Sequence, residues 1–164
     1  MLANHCREFT LRCATESDFP ALSELEAASF PPDEAASHES MLYRCQVANP
    51  YFMCFCDPAT GSPLGFINGT CISSSTISHE SMSSHDPQGS SLVIHSVTVS
   101  PSHRRKGLGA AMLRDYIQEI AGIKSVEQIL LLSKPYLLDF YTSCGFSIDR
   151  LSPVHHGQVT NTIR

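Results

Sequence analysis

A strand, a basic glycine-containing turn and a helix follow one another without interruption between residues 92 and 121. Residues 92–100, LVIHSVTVS, are β-branched and apolar on both faces early on, which is typical of a central strand. Apolar residues then recur at helical spacing over 108–121, and the apolar run QILLL at 128–132 predicts another buried strand. A strand, helix, strand unit implies a right-handed crossover and a locally parallel pair of strands. This unit therefore limits the chain to folds with a mixed or parallel sheet.

The remaining elements follow from alternation, capping residues and prolines. The patterns predict strands at 9–13, 51–57, 64–72, 146–150 and 158–162, and helices at about 17–30, about 33–47 and 135 to about 143. Residues 73–90 are Ser-rich and polar and predict a long loop. The predicted order is β–α–α–β–β–β–α–β–α–β–β in one domain covering residues 1–164, an α/β or α+β fold with a mixed sheet.

Length and composition exclude several classes of protein. The 164 residues carry a formal charge of −5, which argues against a general nucleic-acid-binding surface. No apolar run is long enough to span a bilayer, and the first ten residues lack the apolar segment of a signal peptide. The seven cysteines include no C-x-x-C pair and are expected to be small buried hydrophobic residues in a reducing compartment, not a metal or disulfide framework. The expectation is a cytoplasmic protein without a metal; the oligomeric state stays open.

The basic turn between strand and helix has the chemistry of an anion site. Arg104, Arg105 and Lys106 precede Gly107 and Gly109 at the helix start. Free backbone N–H groups and the helix dipole favour an anion there, and the glycines let a bulky group approach the backbone. The spacing Arg-x-x-Gly-x-Gly is neither a P-loop nor a dinucleotide fingerprint. The alternative reading is an ordinary solvated basic turn.

Two stretches resemble a known family. VTVSPSHRRKGLGAAML at 97–113 resembles the acyl-CoA-binding motif of the GNAT superfamily of N-acetyltransferases. ISHESMSSHDPQGSSLVIHSVTVSPSHRRKGLG at 77–109 and LLDFYTSCGF at 137–146 look like the arylalkylamine (serotonin) N-acetyltransferase family within it. The resemblance implies the GNAT fold, with about seven strands in a mixed sheet and about four helices. It also implies acetyl-CoA as co-substrate and direct attack of an amine on its thioester.

The resemblance further implies which residues bind acetyl-CoA. The central strand would lie along the pantetheine arm, where a bulge or splay would free its backbone groups. The basic turn would hold the pyrophosphate. The implied cofactor-binding residues are Val97, Thr98, Val99, Arg104, Arg105, Lys106, Gly107, Leu108, Gly109 and Ala110.

The same resemblance suggests the groups that move protons and the wall of the acceptor pocket. His95 is the candidate general base and Tyr141 the candidate acid for the leaving thiolate. A hydrogen-bonded core histidine and a packing aromatic residue are the alternatives. Val93 stands where the vertebrate family has a first histidine, so a two-histidine proton path is not expected. The candidate apolar wall consists of Phe30, Pro32 and Leu132.

Four functions compete at this point. The first is N-acetylation of an arylalkylamine, and two others keep the chemistry but change the acceptor to a diamine or polyamine, or to a protein or peptide. The fourth is a non-catalytic acyl-CoA-binding module. Acidic residues expected near the pocket mouth would suit a polycation: Asp33, Glu34, Glu39, Glu80 and Asp86.

Overall fold

The computed structural model of the chain describes residues 9–150 and the backbone of residues 159–163. Its strands are β1 Thr10–Cys13, β2 Met53–Cys56, β3 Pro63–Ile72, β4 Ser91–Val99, β5 Gln128–Ser133, β6 Ser147–Arg150 and β7 Val159–Ile163. Its α-helices are α1 Phe19–Ser29, α2 His38–Val47, α3 Leu108–Ala121 and α4 Leu138–Ser143. This is the predicted order of elements, and the prediction of an α/β fold with a mixed sheet is confirmed.

The strands form one sheet in the order β1-β2-β3-β4-β5-β7-β6. β4 and β5 are parallel, and the other neighbours are antiparallel. The α3 crossover between β4 and β5 accounts for the parallel pair, since a parallel connection must pass over one face of the sheet. β7 pairs with both β5 and β6, so the last strand of the chain enters the sheet between two earlier ones.

The two faces of the sheet carry different helices. Side chains alternate between the faces along each strand, so Phe55 and Ile67 pack beneath α3 while Phe66 packs beneath α1 and α2. Tyr116 of α3 is fully buried, and its hydroxyl donates a 2.7 Å hydrogen bond to the Tyr51 carbonyl. This bond satisfies the polar end of the largest core side chain and fixes the helix above the sheet.

Two helical starts differ from the predicted ones for reasons of capping. Residues 16–18 form a 3-10 turn capped at Thr15, where the Asp18 carboxylate accepts the Thr15 backbone N–H at 2.8 Å. α2 begins at His38 and not near residue 33, because the Ser37 hydroxyl accepts the Ser40 N–H at 3.1 Å. Residues 30–37 are therefore free to form a turn over one end of the sheet.

The Ser-rich segment 73–90 is an ordered loop with its own anchors. The His85 ring accepts the Cys71 N–H at 3.0 Å, and the Asp86 carboxylate accepts the Ser73 hydroxyl and the Gln88 N–H. The first of these bonds ties the loop to β3, and the Ser73–Asp86 bond joins the start of the loop to its later part.

Most of the described cysteines are buried, as predicted. Cys45, Cys54, Cys56, Cys71 and Cys144 are buried and unbridged, and Cys13 is exposed. Within residues 9–150 and 159–163, no helix has the length and apolar character needed to cross a membrane, and no group of three or more His, Cys, Asp or Glu side chains could hold a metal ion.

Candidate active site

β4 and β5 part halfway along their length. Their parallel ladder covers only Ser91–Ile94 of β4 and Gln128–Leu131 of β5. His95 follows at once and is an extra residue in the register with β3, where Ile94 pairs with Gly69 and Ser96 with Asn68. Such a bulge bends and twists its strand. Residues 95–99 therefore have no β5 partner, and a wedge opens between the strands.

A cavity of about 670 Å³ occupies this wedge. Its walls come from the second half of β4, the end of β5, the C-terminal part of α1, the turn that follows α1, the basic turn and α4. All but four of the predicted site residues lie along it. Those that line it are Phe30, His95, Val97, Val99, Arg104, Arg105, Gly107, Gly109, Ala110, Leu132 and Tyr141.

The start of α3 forms an open cradle for an anion at one end of the cavity. Arg105 and Gly107 both adopt the left-handed conformation, with φ of 59° and 79°. Gly107 is the N-cap and has no side chain to offer, and the first helical bond runs from the Ala111 N–H to the Gly107 carbonyl at 3.2 Å. The N–H groups of residues 108–110 thus lack acceptors within the helix. A Cβ on Gly109 would make only ordinary contacts, 3.5 Å from Val99 at the closest, so the glycine leaves space that a ligand can fill.

The three basic side chains of this turn make different contacts. Arg104 ties the end of α1 to β4: its Nε donates to the Val99 carbonyl at 3.0 Å, and its Nη2 donates to the Ala28 carbonyl and the Ser29 hydroxyl at 3.1 Å each. Lys106 donates to the Ser102 carbonyl at 3.2 Å and points away from the cavity. Arg105 lines the cavity at the cradle itself. The residues present therefore fit a phosphate group through backbone N–H groups and Arg105, with the charge of Arg104 nearby.

His95 sits at the bulge with one nitrogen engaged. Its Nε2 and the Thr70 hydroxyl are 2.7 Å apart, and its buried Nδ1 has no hydrogen-bond partner among the described residues. Burial holds the pKa of His95 well below 6.5, and the charge of Arg44 lowers it further. The imidazole is therefore neutral, and with Nε2 donating to Thr70 the Nδ1 lone pair is available for a proton.

Glu26 is a second proton acceptor that the sequence analysis did not find. It is 2% exposed on α1, and its Oε1 accepts the Ala36 N–H at 2.9 Å and the Ser96 hydroxyl at 3.2 Å. Its Oε2 has no partner within the described residues. Burial raises the pKa of this carboxyl, against the lowering effect of its hydrogen bonds and of Arg44. The signal in the sequence was a glutamate within the buried stripe of a helix, beside Leu22 and Leu25.

Arg44 of α2 is another charged residue that the sequence analysis did not find. Its side chain lines the cavity and is 9% exposed, and its Nη2 lies 3.4 Å from the Met82 carbonyl. Burial lowers the pKa of the guanidinium, and the nearby Glu26 raises it. Sequence pattern alone could not place Arg44, since it occupies an ordinary helical position and Met82 belongs to a distant loop.

Tyr141 closes the cavity from α4. Its ring packs edge-on against Phe140 and Phe146, with centroids 5.0 and 5.7 Å away. No hydrogen bond of the described residues involves its hydroxyl, and burial raises the pKa of Tyr141 to about 12. The phenol therefore carries its proton at neutral pH, the form that a general acid needs, although the raised pKa makes it a weaker acid than a free tyrosine.

The apolar wall and the mouth are partly as predicted. Phe30 and Leu132 line the cavity, but Pro32 does not, and the preceding Pro31 lines it instead. The Lys134 Nζ and a Glu34 carboxylate oxygen are 2.6 Å apart, an ion pair that joins the turn after α1 to the end of β5. Among the acidic residues expected near the mouth, Glu34 is the one that lines the cavity, and Lys134 neutralises it.

Three of the predicted cofactor-binding side chains lie off the cavity, for reasons of strand and helix geometry. Thr98 is buried on the opposite face of β4 from Val97 and Val99, with its hydroxyl 3.5 Å from the Phe66 carbonyl. Leu108 is part of the core beneath α3. Together with Lys106 these residues can offer the ligand their backbone groups, not their side chains.

The family comparison matches most of the chain. The model of the acetyltransferase (GNAT) family matches residues 19–146. Serotonin N-acetyltransferase of Mesocricetus auratus is 25% identical over 141 residues, which cover 82% of this chain and 66% of that protein. The chain thus spans just under two thirds of the length of this relative.

Solved structures share the fold at low identity. The loading GNATL domain of CurA from Lyngbya majuscula superposes with a TM-score of 0.83 at 17% identity, covering 94% of this chain and 96% of that one. The GphF GNAT-like decarboxylase in complex with isobutyryl-CoA gives 0.78 at 19%, covering 93% and 96%. At such low sequence identities, these structures show a shared fold alone.

Proposed function

Because the chain belongs to the acetyltransferase (GNAT) family, we propose that it is an acetyl-CoA-dependent N-acetyltransferase whose acceptor is the primary amine of an arylalkylamine, a tryptamine-like or serotonin-like compound. The observation that carries the proposal is the wedge between β4 and β5. It has an anion cradle at one end, and Glu26, His95 and Tyr141 stand along the same cavity.

The cavity offers acetyl-CoA two kinds of contact. The unpaired edge of β4 at 95–99 can bond the pantetheine amides as a substitute strand, and the N–H groups of residues 108–110 can hold the pyrophosphate. The Val99 carbonyl already accepts Arg104, so the strand-like contacts fall mainly on Val97. When bound, acetyl-CoA supplies a thioester whose acyl carbon accepts the amine and whose sulfur leaves.

The residues around the wedge supply the proton transfers that this reaction needs. An alkylamine is mostly protonated at neutral pH, so a base must first take a proton from nitrogen. The Glu26 Oε2 and the His95 Nδ1 are the two unpartnered acceptors of the described lining. The Tyr141 hydroxyl gives a proton to the departing sulfur and regains one from solvent. The neutral nitrogen then attacks the thioester carbon, the second proton that it loses passes to the other of the two acceptors as the C–S bond breaks, and no acyl-enzyme is required.

The lining favours an aromatic amine over a polyamine. Phe30 and Leu132 provide apolar walls, and Glu34 is neutralised by Lys134. Arg44 adds a buried positive charge that Glu26 offsets only from beyond 4.0 Å, and this charge opposes a second ammonium group placed against it. These features support the arylalkylamine and weigh against the polycation that the acidic residues of the sequence had suggested.

A panel of acceptors tests the proposal. Free CoA release is followed with acetyl-CoA and tryptamine, serotonin, phenethylamine, putrescine, spermidine or a lysine peptide, and the N-acetyl product is identified by mass spectrometry. We expect the aromatic amines to have the highest kcat/KM. Faster turnover of spermidine or of the peptide would refute the acceptor class.

Two variants test the assigned groups. Tyr141→Phe and His95→Ala should lower kcat by about 10²–10⁴-fold if they transfer protons. Tyr43→Phe and His103→Ala are the matched controls, since neither residue lines the cavity, and they should leave kcat unchanged. Tight binding of acetyl-CoA with no turnover of any amine would instead favour the non-catalytic acyl-CoA-binding module.

A further inference from the structure

Arg44 is a buried cation whose hydrogen-bonding capacity is almost unused. A guanidinium carries five N–H donors, and the described residues give this one a single hydrogen bond, at 3.4 Å to the Met82 carbonyl. The exposed Arg12 shows the contrast: it makes two bonds of 2.7 Å with the Asp18 carboxylate. A buried charge is costly unless it is paired, so the arrangement at Arg44 is incomplete without a further partner.

Glu26 is not the missing hydrogen-bond partner of the Arg44 guanidinium. The ion pairs of the described residues join Arg12 to Asp18 and Lys134 to Glu34, so Glu26 and Arg44 interact electrostatically at more than 4.0 Å. The Glu26 Oε1 is already bonded to Ala36 and Ser96. Arg44 nevertheless lines the cavity, so its side chain is accessible to a ligand there.

We propose that Arg44 forms a carboxylate-binding subsite within the cavity. The planar fork of a guanidinium matches a carboxylate through two parallel N–H···O bonds, and burial strengthens them. The inference rests on the proposed function and adds to it a preference for substrates that bring a carboxylate beside the reacting atoms. The carboxylate belongs either to the acceptor, as in an aromatic amino acid, or to the acyl group, as in a dicarboxylic acyl-CoA.

The position of Glu26 explains how an amino acid would fit. Its unpartnered Oε2 can accept an N–H from the amine, while Arg44 binds the carboxylate of the same molecule. The two ends of a zwitterion would then meet opposite charges on α1 and α2. Tryptamine would satisfy only the first of these contacts.

Binding measurements test the subsite without requiring turnover. In the acceptor arm, isothermal titration calorimetry compares tryptophan with tryptamine in the presence of CoA. In the acyl arm, it compares malonyl-CoA with butyryl-CoA. The wild-type protein should bind the carboxylate-bearing member of at least one pair about 10–100-fold more tightly, the range of hydrogen bonds to a charged group. The arm that shows the preference identifies the source of the carboxylate.

The variants assign the preference to Arg44. Arg44→Met should bring the ratio of the two affinities close to one, and Arg44→Lys should retain part of it, since a point charge replaces the fork. Arg114→Met is the matched control: Arg114 also makes one 3.4 Å bond to a carbonyl, that of Ser143, but lies off the cavity. If Arg44→Met leaves Glu26 as an unpaired buried charge and unfolds, the double variant Glu26→Gln/Arg44→Met keeps the interior neutral.

The outcomes separate this inference from the proposed function. The subsite is refuted if the wild type shows no preference in either arm, or if a folded Arg44→Met variant keeps the preference. If amines are acetylated but a carboxylate adds nothing, the inference fails and the function stands. If Arg44 binds the carboxylate but no amine is acylated, the subsite stands and the function fails.

Discussion

The left-handed glycine at the start of α3 gives the sharpest test of the anion cradle. Gly107 has φ of +79°, and a Cβ added there would meet no atom within 4 Å. Gly107→Ala therefore introduces backbone strain and no clash. Strain of this kind costs about 1–2 kcal/mol. For a domain of this size that corresponds to a fall in Tm of about 2–8 °C.

Gly61 is a nearly identical control. It has φ of +74°, again with nothing within 4 Å of an added Cβ, but it lies in the turn between β2 and β3 and does not line the cavity. Gly61→Ala should lower Tm as much as Gly107→Ala. Any difference between the two variants in ligand binding then reports on the cradle and not on stability.

Calorimetry with acetyl-CoA distinguishes the two variants. Relief of strain at Gly107 rotates the N–H groups of the first α3 turn away from the phosphate, and losing one hydrogen bond to a charged group weakens binding about 10–100-fold. We expect that increase in Kd for Gly107→Ala and no change for Gly61→Ala. Equal Kd values for both variants and the wild type, with Tm lowered in both, would refute the cradle.

Three further predictions follow from the same geometry. Gly109→Ala should leave stability unchanged or slightly higher, because the added Cβ makes only ordinary contacts, yet it should raise the Kd for acetyl-CoA as measured by calorimetry. Glu26→Gln should lower kcat by about 10²–10⁴-fold. Because burial raises the pKa of Glu26 and the ionised form is the base, wild-type kcat should rise with pH through that pKa, and a pH–rate profile of the variant should lack the rise. Arg12 lowers the pKa of Asp18 from 3.8 to about 2, so this pair contributes stability above about pH 4 that is lost as pH falls through 2. In urea unfolding, Asp18→Asn should therefore cost about 1–2 kcal/mol at pH 7 and only a small part of that at pH 2.

Local pattern was sufficient to predict the elements of the fold. The β-branched run of β4, the helical stripe of α3 and the prolines near the helix ends are patterns of a few residues, so each predicts its element without knowledge of what packs against it. The glycines and arginines of the turn are likewise contiguous, and the cradle could be predicted from their spacing.

The parts of the site that depend on distant residues could not be predicted in this way. A bulge is defined only by the register with a partner strand. The sequence around His95 therefore could not predict the bulge without the register between β4 and β3. Arg104 contacts α1, some 75 residues earlier in the chain, and this long-range packing changes its role from binding phosphate to tying elements together. Glu26 and Arg44 gain their electrostatic character from burial between two helices and a strand.

A single-turnover experiment tests the central claim most directly. The protein is mixed with one equivalent of acetyl-CoA and an excess of an aromatic amine, with and without a carboxylate, while free thiol and N-acetylated product are followed together. The account predicts that thiol and N-acetylated product appear at the same rate and in equal amounts, and that both require the amine. Thiol release without an N-acetylated product, or bound acetyl-CoA that stays intact beside every amine, would contradict it.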